Sequence, residues 1–145
     1  MIGRVGKLGL VLFAITLGLT ACGGTRAGTV GDLPSDTPPP LTLYVSNQSF
    51  DDPVVGIIVT IDGSQVVDHS FEVEDQHNFV RFEQQGLTSG THTIEATAST
   101  GPSFTTEVTI RDGEPRWAVL GYEFDPDEGQ HVFSFYVSDQ PIHFS

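Results

Sequence analysis

The residues of this chain whose types suit chemistry are one cysteine, five histidines and 19 acidic residues. Cys22 directly follows the small residues Thr20 and Ala21. A thiol forms a nucleophilic thiolate far more readily near neutral pH than a serine hydroxyl ionises. Cys22 is therefore the side chain of this set best suited to act as a nucleophile. Because it is the only cysteine, it leaves no intramolecular disulfide to stabilise the fold.

The five histidines are His69, His77, His92, His131 and His143. None lies two or four residues from another, the spacings that most readily place two imidazoles on one metal ion. His92 shares an alternating face with Ile94 and Ala96, where we expect a hydrogen-bonded structural residue. The spacing favours no metal site, and we expect no bound cofactor.

An acidic segment near the end of the chain, Asp125-Pro126-Asp127-Glu128-Gly129, places acids in alternating positions, as a calcium loop would. Its twelfth position is Tyr136, where an EF-hand needs a bidentate glutamate. The segment therefore favours a solvated hairpin turn. Asp51-Asp52 and Glu72/Glu74/Asp75 are further acids that could contribute calcium ligands from other loops.

Catalytic signatures are missing from the sequence, which has neither a G-x-S-x-G nor an H-E-x-x-H motif. Carboxylate pairs are common in so acidic a chain, so by themselves they do not indicate catalysis. We therefore assign no catalytic residue.

The charge of the chain is strongly asymmetric about Cys22. Two of the six basic residues, Arg4 and Lys7, precede it, and all 19 acids follow it, so the side chains after Cys22 sum to −15 with no lysine. Binding to a phosphate backbone requires a basic patch. We expect no nucleic-acid partner.

Residues 1–21 have the order of a secretory signal, with the basic Arg4 and Lys7 followed by an uncharged run, LGLVLFAITLGL, from Leu8 to Leu19. Twelve helical residues rise only about 18 Å, less than the ~30 Å hydrocarbon core of a bilayer. A permanent membrane span is therefore disfavoured. The alternative is an ordinary signal that is cleaved elsewhere and leaves a protein without a lipid.

The segment Leu19-Thr20-Ala21-Cys22 resembles the lipobox of bacterial lipoproteins. This resemblance implies cleavage after Ala21 and a diacylglyceryl group on Cys22, often with a third acyl chain. Two or three chains make membrane attachment durable, whereas one is marginal. The expected location is extracytoplasmic, on the outer membrane or the outer face of the cytoplasmic membrane, and Gly23 leaves that choice open.

Residues 22–40 are rich in Gly, Thr and Pro and show no apolar periodicity. Such a composition cannot bury enough surface to become ordered, and it predicts a flexible tether. The 18 residues that follow Cys22 reach at most about 60 Å.

From Leu41 onward the apolar pattern has a period of two, with Gly, Pro and Asp between the runs. It predicts an all-β domain over residues 41–145, an antiparallel β-sandwich of about seven or eight strands. The predicted strands are Leu41–Val45, Val54–Ile61, Gln65–Val73, Phe79–Phe82, Thr91–Ala98, Phe104–Ile110, Trp117–Phe124 and Val132–Val137.

The same alternation predicts which side chains point into the sandwich, because successive strand residues face opposite sides. The inward set is Leu41, Leu43, Val45, Val55, Ile57, Val59, Ile61, Val80, Phe82, Ile94, Ala96, Ala98, Val108, Ile110, Ala118, Leu120, Tyr122, Phe124, Phe133, Phe135 and Val137.

Three segments carry a second resemblance: VTIDG from Val59, GLTSGTHTIEA from Gly86 and VTIRDG from Val108. They look like transthyretin-like or carboxypeptidase-regulatory-like domains and bacterial Ig-like repeats. The resemblance implies a sandwich fold and no particular function, because these folds serve many functions. His92 stands where many such domains have Tyr.

Two functional hypotheses follow. The leading one is a non-enzymatic binding or spacer module of the cell envelope, whose partner is an envelope protein or a glycan. Aromatic and apolar residues off the core register form a candidate platform for that partner: Tyr44, Phe79, Trp117, Val119 and Tyr136. The alternative is a small envelope hydrolase or metal-dependent enzyme with loop histidines and acids in its site.

Overall fold

The protein is represented by a computed structural model that describes residues 37–73 and 78–144. Cys22, the predicted signal and most of the predicted tether lie outside these residues. The described part contains eight strands and no helix, and every predicted strand is present. The strands are β1 (Leu41–Asn47), β2 (Val54–Ile61), β3 (Ser64–Glu72), β4 (Val80–Gln84), β5 (Gly90–Ala98), β6 (Ser103–Ile110), β7 (Arg116–Asp125) and β8 (Gln130–Ser138).

The strands form two four-stranded sheets with their apolar faces packed together. Sheet I has the order β4-β1-β7-β8, and sheet II has the order β3-β2-β5-β6. The predicted all-β sandwich is confirmed. Five strand pairs are antiparallel, whereas β1 and β7 are parallel because both begin at the same end of the sandwich.

The first two strands lie in different sheets, because the chain crosses the sandwich between β1 and β2. In the constant-type immunoglobulin domain the first two strands share a sheet. The strand order of this domain therefore differs from that arrangement.

The core contains most of the predicted inward side chains, including Leu43, Ile57, Ile94 and Leu120, which are fully buried. Val80, Phe82, Phe135 and Val137 are half-buried and pack against this core. The prediction for Phe124 was wrong, since its side chain is 42% exposed. Phe124 comes next to last in β7, outside the hydrophobic core, and its ring contacts His131 instead. The alternation left β3 unassigned, and the structure buries its Val67 and Phe71.

Tight turns join the hairpins where the sequence predicts them. Between β2 and β3, Asp62 and Gly63 both have positive φ angles, 50° and 76°. Positive φ at both central residues defines the type I′ turn, which matches the twist of a hairpin and favours Asp-Gly.

The alternating strand directions divide the connections between two ends of the sandwich. The entry end is where the described chain enters β1, and there the Arg116 amide donates to the Pro40 carbonyl at 2.9 Å. The far end holds the β1–β2, β3–β4, β5–β6 and β7–β8 connections. No helix in the described ranges is long and apolar enough to span a bilayer.

Candidate functional site

The β1–β2 loop at the far end is held by its own side chains. The side chain of Asn47 donates through Nδ2 to the backbone carbonyl of Asp52 at 2.7 Å. Its Oδ1 accepts the backbone N–H of Ser49 at 2.9 Å. The Ser49 hydroxyl accepts the Asp52 amide at 3.3 Å. These bonds satisfy polar groups that are buried in the loop, so the loop presents its remaining side chains from a fixed backbone.

A polar network joins this loop to β7, β8 and the β5–β6 turn. We call it the far-end network, and its members are Ser49, Asp52, Thr100, Tyr122 and His131. The Ser49 hydroxyl lies 2.8 Å from His131 Nε2, and Asp52 Oδ2 lies 3.4 Å from the same nitrogen. The Tyr122 hydroxyl donates to Asp52 Oδ2 at 2.7 Å, so Thr100, also at 2.7 Å, must donate to the Tyr122 oxygen. The network therefore ties the far end of both sheets together.

Burial is the main cause that raises the pKa of Tyr122 above its ordinary value of 10.0, and its contact with Asp52 adds to the rise. The phenol therefore keeps its proton at neutral pH. It can serve as a permanent donor to Asp52. The ring of His131 stacks flat on Tyr122, with 5.2 Å between the centroids, which fixes the imidazole plane.

Ser49, His131 and Asp52 are the three residue types of a serine-hydrolase triad, and their geometry tests the enzyme hypothesis. In a triad the carboxylate holds the imidazole nitrogen that faces away from the serine. Here Asp52 and Ser49 approach the same nitrogen, and Ser49 is only 1% exposed. This geometry suits a structural link and does not suit nucleophilic attack by Ser49.

Two phenylalanines project into solvent around this network. Phe50 follows Ser49 in the loop and is 68% exposed, and Phe124 packs the edge of its ring against His131. Val54, at the start of β2, is also exposed. Large apolar side chains on a fixed loop characterise contact surfaces. We call Phe50, Val54 and Phe124 the far-end patch.

A groove of about 650 Å³ lies beside the network, between the β5–β6 turn and the start of β8. Phe104 and Phe133 contribute apolar surface to it, and Thr100, Ser103 and Gln130 contribute polar groups. The far end therefore combines a concave surface with exposed aromatic side chains.

The predicted aromatic platform on the outer face of sheet I is partly covered. The segment after β8 returns across this face, and Phe144 stacks on Phe79 at 4.1 Å and meets Tyr44 at 5.0 Å. Trp117 and Val119 are half-buried. Of the five predicted residues only Tyr136, which is 61% exposed, projects freely into solvent.

His92 has the structural role expected from the sequence. Its Nδ1 lies 2.6 Å from Asp62 Oδ2, and its Nε2 lies 2.8 Å from the Thr88 carbonyl. The Asp62 hydrogen bond is the largest cause that raises the pKa of His92, and the His92 hydrogen bond is the largest cause that lowers the pKa of Asp62. Both partners are acceptors, so the protonated imidazole satisfies both contacts at once.

The other predicted candidates do not converge on one site. His69 packs edge-on against Phe71, His143 is exposed, and His77 lies outside the described residues. Across residues 37–73 and 78–144, no group of three or more His, Cys, Asp or Glu side chains is arranged to hold a metal ion.

The acidic segment at Asp125 forms the predicted hairpin turn. Asp125 Oδ1 accepts the Asp127 and Glu128 amides at 2.8 and 3.2 Å. Its carboxylate therefore stabilises the turn. Asp52 belongs to the far-end network, Asp51 and Glu72 are exposed on separate elements, and Glu74 and Asp75 lie outside the described residues.

Comparison with protein-family models found no match to this chain, and comparison with curated proteins also found none. The far-end network has no local sequence signal, because Ser49 and His131 are 82 positions apart. The network became visible only when the fold brought the loops together.

Proposed function

We propose that this chain is a lipid-anchored, extracytoplasmic binding module of the bacterial cell envelope. The signal-like residues 1–21 and the lipobox-like Leu19-Thr20-Ala21-Cys22 support the anchor. Acyl chains on Cys22 would hold the protein to the outer membrane or to the outer face of the cytoplasmic membrane. In this proposal the β-sandwich domain performs no catalysis, and it contacts an envelope protein or a glycan.

The observation that carries the proposal is the far-end patch on its hydrogen-bonded support. Ordering exposed side chains on binding costs conformational entropy, and a loop already held in place reduces that cost. Phe50 and Phe124 offer apolar contact area at the end opposite the chain entry. The patch therefore replaces the outer face of sheet I as our candidate contact surface.

The test is crosslinking and pull-down of the intact lipidated chain from its native membranes, comparing the wild type with Phe50→Ser. Truncating a central aromatic contact commonly costs at least 2 kcal/mol of binding, about thirtyfold in affinity. We expect the captured partner to be lost from Phe50→Ser and retained by the control Ile58→Ser, whose apolar side chain is exposed on the outer face of sheet II.

Protein and glycan partners are separated by treating the captured material with protease or with glycosidase. The proposal is wrong if the wild type captures no specific partner, or if Ile58→Ser loses the partner as completely as Phe50→Ser does.

A further inference from the structure

The four edge strands of the sandwich differ in how they resist pairing with another chain. Charged residues on an edge disfavour such pairing. β3 carries Asp68 and Glu72, the five-residue β4 carries Arg81 and Glu83, and β6 carries Glu107. β8, with the sequence QHVFSFYVS, spans nine residues without an Asp, Glu, Lys, Arg or Pro.

The free edge of β8 is also regular. Its ladder with β7 runs from Gln130 to Ser138 without a register shift. In the described part of the chain no strand pairs with its other side. The segment after β8 turns towards Tyr44 and Phe79, away from this edge. A long, regular and uncharged edge presents unpaired backbone donors and acceptors to a partner strand.

β8 carries aromatic or β-branched residues at the two positions on each side of Ser134. Val132 and Phe133 precede it, and Phe135 and Tyr136 follow it. In a two-fold antiparallel pair of identical strands, each residue faces the residue at the same distance on the other side of the axis in the second copy, so the two facing residues must pack well together. With Ser134 on the axis, Phe133 lies opposite Phe135 of the second copy and Val132 lies opposite its Tyr136.

We propose that two copies of this chain associate through antiparallel pairing of their β8 strands, with Ser134 at the two-fold axis. The inward pairs of Phe133 with Phe135 extend the sandwich core across the interface, and the outward pairs of Val132 with Tyr136 cover apolar surface. Aromatic cross-strand pairs are among those that stabilise sheets. The pairing closes on itself, so it produces a dimer and no filament.

Charge repulsion between the copies opposes this association, because each copy carries −15 after Cys22. The repulsion acts between the remaining surfaces, since β8 contributes no acid to the interface. Salt screens such interactions over about 10 Å at 0.1 M. We therefore expect the dimer to become tighter as the salt concentration rises.

Antiparallel pairing places the entry ends of the two copies on opposite sides of the dimer. A ten-residue strand such as β7 is about 33 Å long. The predicted tether reaches up to about 60 Å, so both anchors would reach one membrane. Two anchored copies would also hold each other at a high local concentration.

Sedimentation of the full mature chain, from residue 22 with Cys22→Ser, tests the association without the lipid. We expect the wild-type domain to form a dimer across the micromolar range. Ser134 is exposed, so Ser134→Lys should leave the monomer folded while placing two like charges directly opposite each other. We expect it to weaken the dimer about fivefold, because a cross-strand pair contributes up to about 1 kcal/mol.

The matched control is Ser70→Lys, which adds the same charge at an exposed serine of the edge strand β3. It should leave the dimer intact. A wild type that remains monomeric at every concentration and salt overturns the proposal. So does a Ser134→Lys chain that forms a dimer as tight as that of the wild type, or an assembly that keeps growing beyond two copies.

A single-cysteine variant tests the register. Directly opposite residues of antiparallel strands have Cα atoms about 4.5 to 5.5 Å apart, within the range of a disulfide. In the Cys22→Ser background, Ser134→Cys should form a covalent dimer on mild oxidation and Ser70→Cys should not. Equal crosslinking by the two variants would contradict the register.

Both experiments are independent of the proposed anchor and partner, because Cys22 is replaced and no envelope component is added. A monomeric result would leave the far-end patch as a binding surface. A failed pull-down would leave the dimer unaffected.

Discussion

At the scale of single residues, His92 and Asp62 connect the β2–β3 turn to β5 through side-chain bonds. Asp62 also accepts the Thr93 amide through Oδ1 at 2.9 Å. Its carboxylate therefore links the β2–β3 turn to the backbone of β5 and to the His92 imidazole. Because Asp62 is half-exposed, water and salt screen part of the attraction between the two charges.

The pairing of His92 with Asp62 predicts how the stability of the domain depends on pH. The raised pKa of His92 means that its stabilisation is complete below its ordinary value of 6.5 and disappears as pH rises through the higher folded value. The lowered pKa of Asp62 means that its contribution is present above 3.8 and disappears as pH falls through the lower folded value. The stabilisation is therefore greatest between pH 3.8 and 6.5.

Thermal unfolding of the wild type and His92→Phe, measured across this range, checks the prediction. We expect His92→Phe to lower Tm by several degrees between pH 3.8 and 6.5, and by less in alkaline solution. Asp62→Asn and the double variant complete a mutant cycle whose coupling should decrease at high pH, where the imidazole is neutral. A Tm difference that is the same at every pH would contradict the role of the charged pair.

At the scale of elements, β5 shows why the strands were predictable. Ile94, Ala96 and Ala98 are buried, and Glu95 and Thr97 between them are exposed. This alternation follows from strand geometry alone, so it can be predicted from the sequence without knowing the neighbouring strands. Strand ends were less predictable, because they depend on which neighbour continues the ladder. Phe124 continues the apolar alternation of β7, but at the end of the strand its side chain is exposed.

We predict that Ile94→Asp abolishes cooperative unfolding of the domain. Ile94 is fully buried between the sheets. A buried, unpaired carboxylate costs several kcal/mol, comparable with the ~5–15 kcal/mol stability of a typical domain. The control Thr97→Asp lies on the exposed face of the same strand and should change stability by no more than about 0.5 kcal/mol. Circular dichroism during urea unfolding measures both, and a normal transition for Ile94→Asp would refute the core assignment.

At the scale of the whole molecule, the single cysteine means that no disulfide stabilises the domain, and it is also the proposed site of the lipid anchor. A domain without a disulfide must obtain its stability from packing and backbone pairing, and the two sheets supply a continuous apolar core. In our proposal the lone thiol at Cys22 is used instead for membrane attachment.

The proposed anchor predicts how the chain is processed in its host. The mature wild type should begin at Cys22 and carry a diacylglyceryl group, whereas Cys22→Ser should accumulate as a precursor that retains residues 1–21. Mass spectrometry of the intact chains distinguishes these products, with Ser35→Ala in the predicted tether as a control that is processed normally. An unmodified Cys22, or a mature chain that begins elsewhere, would contradict the lipoprotein assignment.

The sequence by itself determined the all-β class, the eight strands, the Asp62-Gly63 turn and most of the core, because alternation and turn chemistry are local properties of a chain. Only the tertiary structure decided the strand order, the parallel pairing of β1 with β7 and the free edge of β8. It also gathered Ser49, Asp52, Tyr122 and His131 at one end of the sandwich. Such contacts join residues that are distant in the chain. Their partners depend on how the chain crosses between the sheets, which local periodicity does not encode.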